Sequence, residues 1–140
     1  MAATRSNAIG APGYRETLRC RPESVRRARR LVDTALQTWG LDSLIDDMTL
    51  VTSELVTNAV DHSRCRYMHV RISRLGKDRV RVAVTDRSFV RPVLREPSQY
   101  DQNGRGLFLV EALADCWGTE RRSFGKSVWA ELITEGESNP

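Results

Sequence analysis

The 140-residue sequence predicts a two-layer α/β sandwich: an antiparallel or mixed sheet with its helices packed over one face. Three observations predict it. Two stretches in the first half repeat their apolar residues every three or four positions, the period of a helix with one buried face. Two stretches that follow alternate apolar and polar residues, and only Gly76-Lys77-Asp78 separates them, which is the pattern of an antiparallel hairpin. A last alternating segment then appears near the C-terminus, after a long aperiodic stretch and a short helix.

Taken in order, residues 1–13 are rich in Ala, Ser, Gly and Pro with no apolar period, and read as a flexible leader before a domain spanning 14–133. A short extended piece covers Tyr14–Cys20. Pro22-Glu23-Ser24 opens the first helix. Val25, Ala28, Val32, Ala35, Leu36 and Trp39 form its inner face, and Gly40 stops it. The second helix runs from about Ser43 to His62, with Leu44, Met48, Val51, Leu55 and Ala59 as its buried stripe. Met68, Val70 and Ile72 mark the first strand of the hairpin, and Val80, Val82 and Val84 the second. From Arg87 to Gly106 periodicity is lost, and a loop this long inside a small domain tends to be functional. Leu107, Val110, Leu113 and Ala114 mark a short helix closed by Trp117-Gly118. Arg121–Gly125 reads as a turn, Ser127–Ile133 as the last strand, and 134–140 as a frayed tail.

Composition narrows the function classes. An apolar share of 40% and a charged share of 29% suit a soluble globular domain, and no apolar run is long enough to cross a bilayer. With no signal-peptide layout, the cytoplasm is the expected location. Cys20, Cys65 and Cys116 are too scattered for a disulfide framework or a zinc site. The net charge of +4 comes mainly from arginine, densest at Arg26, Arg27, Arg29 and Arg30. No aromatic residues interleave with that cluster, so a solvated helix face or an acidic protein partner explains it better than nucleic acid does.

Four features carry chemistry. Glu54, Asn58 and His62 fall in one slanting row on the second helix, because each four-residue step advances about 40°. The row borders the stripe of Val51, Leu55 and Ala59, so a carboxylate and an amide sit at the edge of the core face. Asp86 emerges where the apolar strand ends and the long loop begins. Asn103-Gly104-Arg105-Gly106-Leu107 is a glycine-flanked helix opening, where backbone N–H groups can approach a phosphate. Gly125-Lys126-Ser127 precedes the final strand.

In this order the four features resemble the Bergerat (GHKL) ATP-binding family. The phrases ELVTNAVDHS, VAVTDRS, GRGLFLVEALADCWG and GKSVWAEL are most similar to the actinobacterial branch of the stand-alone anti-sigma-factor serine kinases, the RsbW and SpoIIAB type. The resemblance covers about 14–133. It implies a Bergerat fold and binding of ATP with Mg²⁺. Asn58 would be the metal ligand, and Glu54 would orient or deprotonate the attacking hydroxyl. Asp86 would accept a hydrogen bond from the adenine amine. The lid would be 88–104, with Gly104 and Gly106 facing the phosphates. Ser127 would support the adenine end and His62 would lie by the phosphates. Arg105 is added on chemical grounds, as a cation beside the phosphate-binding glycines that can stabilise transferred charge. One departure stands out: the family's D-x-G-x-G reads Asp86-Arg87-Ser88-Phe89-Val90 here, so Ser88 alone is small enough to keep the backbone near adenine.

The leading expectation is an ATP-dependent protein serine/threonine kinase that binds a sigma factor and phosphorylates an anti-sigma antagonist of the STAS-like kind, regulating transcription. Homodimerisation is implied by the same resemblance. The alternative is a non-catalytic module that sequesters a sigma factor or another regulator, with weak or no ATP binding.

Overall fold

The computed structural model describes residues 4–6, 12–62, 66–86, 107–122 and 125–134. Strands β1 (Thr4–Ser6) and β2 (Pro12–Arg19) lead into helix α1 (Ser24–Thr38). A single 3₁₀ turn (Asp42–Leu44) then opens α2 (Ile45–His62). Strands β3 (Tyr67–Arg74) and β4 (Arg79–Asp86) form the expected hairpin. A short helix, α3 (107–113), precedes β5 (Cys116–Arg122) and β6 (Gly125–Ile133). The sheet order is β1-β2-β3-β4-β6-β5, and every neighbouring pair is antiparallel. The sheet is therefore antiparallel throughout.

Both long helices form where their apolar period predicts. On α1, Ala28, Leu31, Val32, Ala35 and Leu36 are buried. Its first turn is tied to β2 by the Ser24 hydroxyl, which donates to the Arg19 carbonyl at 2.6 Å. Its end is set by Gly40 at φ 71°, a left-handed conformation that glycine adopts without a Cβ clash. There the Gly40 amide donates to Gln37 and the Leu41 amide to Leu36. On α2 the buried set is Met48, Val51, Thr52, Leu55, Val56 and Ala59. Thr52 is the polar member, and its hydroxyl donates back to the Met48 carbonyl at 2.7 Å, so its own donor is met in the core.

The inner face of the sheet carries Leu18, Met68, Val70, Ile72, Val80, Val82, Val84, Val128, Ala130 and Leu132, all buried. The register aligns them in rows: Ile72 with Val82, Val82 with Ala130, Val84 with Val128 and Val80 with Leu132. Helix α1 packs against α2, β2 and β3, while α2 packs against β4 and β6. Fully burying side chains of this size stabilises the fold by roughly 1.5–3 kcal/mol each, which makes this shared layer the main source of stability.

Three expectations are corrected. The leader does not extend to residue 13: Thr4, Arg5 and Ser6 pair with Tyr14, Gly13 and Pro12. Ala/Ser/Gly/Pro composition hid a short edge strand that needs no apolar alternation. Thr134 does not belong to a frayed tail: its amide donates to the Asp78 carbonyl at 2.9 Å. Trp117-Gly118 do not close the short helix, and Arg121 and Arg122 belong not to the expected turn but to β5, an edge strand whose inward residues Trp117, Thr119 and Arg121 show little hydrophobic pattern. Gly118 serves packing there: a Cβ at that position would come within 2.9 Å of the Trp129 ring.

Candidate functional site

Chain connectivity gathers the expected site at one end of the inner layer. Met68, next to the start of β3, pairs with Asp86 at the end of β4. His62 ends α2 five residues before Tyr67, a span of at most about 18 Å when fully extended. The end of α2 and the end of β4 therefore belong to the same end of the domain. Asn58 and Glu54 follow one and two turns back along α2, about 6 Å and 12 Å down the helix axis.

Local burial fits the edge position expected for this row. Glu54, Asn58 and His62 are half-buried, Thr57 and Asp61 beside them are exposed, and Leu55 and Ala59 are buried. The row thus follows the rim of the core, with side chains that are neither sealed in nor fully solvated. Asp86 differs. It is buried, 3% exposed, and it continues the inward parity of Val80, Val82 and Val84. A carboxylate at that depth is an acceptor held at the end of a strand paired on both sides, by β3 and β6.

Ser127 is not brought to this site. The register pairs it with Thr85, and its hydroxyl accepts from the Thr85 hydroxyl at 3.0 Å. Both residues lie on the sheet face turned away from the helices, so Ser127 cannot support a ligand on the Asp86 face. The residue opposite Asp86 is Lys126, itself paired with Arg121 on β5. The sequence reading passed over Lys126, although the even-numbered apolar series Val128, Ala130 and Leu132 places it on the inner face. Ser88, Gly104, Arg105, Gly106 and the 88–104 lid lie outside the described residues.

The strongest ionic cluster is elsewhere. On the outer face, at the opposite end of β4 and β6, the Glu131 carboxylate accepts from Arg79 at 2.5 Å and from Arg81 Nε at 2.8 Å. Arg79 also donates to Asp115 at 3.0 Å. Burial works to raise the Glu131 pKa, but the hydrogen bonds from Arg81 and Arg79 together outweigh it and hold the carboxyl below its ordinary value. Desolvation and the Glu131 charge push the Cys116 thiol up, so it remains a thiol near neutrality. This cluster clamps strands together; it is not a reaction centre.

The sequence of the domain decides its family. Residues 18–132 match the model of the histidine kinase-like ATPase domain. The chain belongs to that family. An uncharacterized protein of Streptomyces coelicolor is 37% identical over 86 residues, which cover 59% of this chain and 82% of the relative. Histidine kinase-like ATPase domains bind ATP, usually with Mg²⁺. The residues of this ATPase domain fit such a ligand at the rim of α2 and at Asp86. A buried carboxylate suits the adenine amine, and an amide with neighbouring water suits a hard divalent ion. Among the described residues no cluster of three His, Cys, Asp or Glu could hold a metal; of the row on α2, Asn58 would be the residue to hold Mg²⁺, which would supply charge stabilisation to the triphosphate. Nor is any described helix of the ATPase domain long and apolar enough to cross a membrane.

Proposed function

We propose that this ATPase domain is a protein serine/threonine kinase of the anti-sigma-factor type, which holds ATP-Mg²⁺ between α2 and the end of β4 and transfers the γ-phosphoryl group to an antagonist protein of the STAS-like kind. The observation that supports it most is the half-buried row of Glu54, Asn58 and His62 on the rim of α2, at the same end of the domain as the buried carboxylate of Asp86.

Each residue then has a chemical task. Asp86 selects adenine by accepting from its exocyclic amine. Asn58 would hold Mg²⁺ through its amide oxygen, and the ion would offset charge on the triphosphate. Glu54, half in water, accepts the proton of the attacking serine hydroxyl directly or through one water. His62, one turn on, faces the phosphate end. Little covalent work falls to the protein in such a transfer, so positioning and charge stabilisation supply most of the rate. Arg105 and the glycines beside it would act on the phosphates. The cell's cytoplasm and a sigma factor as second partner belong to the same reading, as does homodimerisation.

The test is phosphotransfer from γ-labelled ATP to proteins captured from the native host. Glu54→Gln keeps the shape of the rim and removes the base. It is expected to reduce transfer at least 100-fold with ATP affinity nearly unchanged. Equal transfer by the variant would refute the base, and absence of ATP binding at high micromolar concentration would refute the kinase.

Two observations favour a second reading, a non-catalytic module that sequesters a sigma factor or another regulator. Ser127 lies on the wrong face to support adenine, and the segment after Asp86 lacks both family glycines. In that case ATP binds weakly or not at all while the protein partner still binds.

A further inference from the structure

The end of the sheet that carries Asp86 holds two cations that the roles given above leave unused. Asp86 on β4 pairs with Lys126 on β6, and Lys126 pairs with Arg121 on β5. Partners in such a register share a face, and Asp86 continues the inward series of Val80, Val82 and Val84. All three side chains therefore belong to the inner face of the sheet. Burial falls along the row: Asp86 is buried, Lys126 half-buried and Arg121 exposed. Helix α2, which bears Glu54 and Asn58, packs against β4 and β6, the strands of the first two.

Neither cation is engaged by the fold. Among the described residues the Lys126 ammonium and the Arg121 guanidinium have no ion-pair or hydrogen-bond partner, whereas Arg79 and Arg81 on the outer face both pair with Glu131. Lys77, the one other lysine, is exposed in the β3–β4 turn at the opposite end of β4. A half-buried lysine lays its stem on apolar surface and keeps its ammonium toward water. Cross-strand Cβ atoms lie about 5 Å apart, so a ligand that reaches the Asp86 carboxylate also comes within reach of that ammonium. From β4 to β5 the row crosses two strand spacings, about 10 Å, with an acceptor at one end and cations at the other. A ligand with a hydrogen-bond donor at one end and anionic charge at the other fits that order, and a nucleotide has both.

We propose that Lys126, with Arg121 beyond it, binds the anionic chain of the nucleotide and makes affinity depend on the number of phosphates. This role rests on the reading of this end as a nucleotide site, and it divides the work there. Asp86 sets the preference among bases, and Lys126 supplies charge-assisted hydrogen bonds to phosphate oxygens. A lysine acts as a point charge with three rotatable donors, which suits phosphate groups without fixing one geometry.

Isothermal titration of the full chain with ATP, ADP, adenosine and inorganic tripolyphosphate, with Mg²⁺ present, tests it. Affinity should fall from ATP to ADP to adenosine. Lys126→Met should weaken ATP, ADP and tripolyphosphate about tenfold and adenosine less than about twofold. Its ATP affinity should also vary less with salt than that of the parent. Lys126→Arg, which keeps the charge, should stay within about threefold of the parent, and Lys77→Met should match it. Equal ATP affinity in the parent and Lys126→Met would overturn the proposal and leave the ATP reading standing. So would an equal loss of adenosine, which would make the stem a wall of the base site. A Lys126→Arg protein as weak as Lys126→Met would overturn it too, with packing as the cause. If the parent binds neither ATP nor tripolyphosphate, both readings fall. Tripolyphosphate binding that Lys126→Met loses, without preference for ATP over GTP, would uphold Lys126 and remove base selection by Asp86.

Discussion

Replacing Glu131 by Gln separates stability from ligand binding, because the residue clamps the sheet at the end remote from Asp86. Its side chain is 8% exposed and accepts from Arg79 and Arg81, whose own side chains are 33% and 35% exposed. Hydrogen bonds to charged groups contribute about 1.5–3 kcal/mol each, and breaking a fully buried ion pair costs about 3–5 kcal/mol. Here both guanidinium groups keep water. Arg79 also keeps Asp115, and Arg81 keeps the Trp129 ring. Glutamine, moreover, still offers an acceptor oxygen. The low end applies, about 1.5–2 kcal/mol, which for a domain of this size lowers Tm by about 5–8 °C. The pH dependence follows from the direction of the shift. The folded protein holds Glu131 below its ordinary pKa, so between the two values the unfolded chain binds the proton more readily. The contribution is therefore complete above the unfolded value of about 4.3, and it is lost as pH falls through the folded one. Urea denaturation of both proteins from pH 7 to pH 3 measures it. The gap should be full at pH 7, begin to close below about pH 4.5 and shrink steadily with further acidification. A gap that stays constant down to pH 3, or one below about 0.5 kcal/mol at pH 7, would refute the clamp.

Three further outcomes are expected. Asn58→Ala should lower ATP affinity about tenfold or more in Mg²⁺ and little in EDTA, as isothermal titration would show, with a Tm change under about 3 °C because the side chain is only half-buried. Ser127→Ala should leave ATP affinity within twofold while lowering stability by about 1 kcal/mol through loss of the Thr85 hydrogen bond, measured by titration and urea melts on the same samples. Gly118→Ala forces a methyl to within 2.9 Å of Trp129 and should cost about 1–3 kcal/mol; the companion Gly118→Ala/Trp129→Leu protein should recover part of it if the clash is the cause.

The elements that pack on the core were legible because burial leaves a period in the sequence. Met48, Val51, Leu55 and Ala59 on α2 and Val80, Val82 and Val84 on β4 are all buried as their spacing requires. The missed strands are the two at the edges of the sheet. Thr4–Ser6 pairs on one side only, and the alternation of β5 is filled by Cys116, Gly118 and Glu120 outside and Trp117, Thr119 and Arg121 inside. An edge strand satisfies its backbone without a continuous apolar face, so periodicity has little to detect. The Glu131 clamp was illegible for another reason: Arg79 and Arg81 lie 52 and 50 residues from Glu131 in sequence and meet it only through the β4–β6 register.

The displaced role of Ser127 shows how little separates a correct motif from a misplaced residue. In a strand the side chains alternate with a period of two, so moving one position along β6 moves a side chain to the other face of the sheet. The motif Gly125-Lys126-Ser127 draws attention to the hydroxyl, but parity favours the lysine. Val128, Ala130 and Leu132 face the helices, hence Lys126 does too, opposite Asp86. Ser127, Trp129 and Glu131 face away and line or clamp the outer surface. One strand thereby serves two surfaces: its even residues close the core and end opposite Asp86, and its odd residues line the outer face of the sheet. A ligand at Asp86 would have a lysine rather than a serine on the neighbouring strand, and a cation beside the end of β4 would attract the anionic part of a nucleotide without recognising its base.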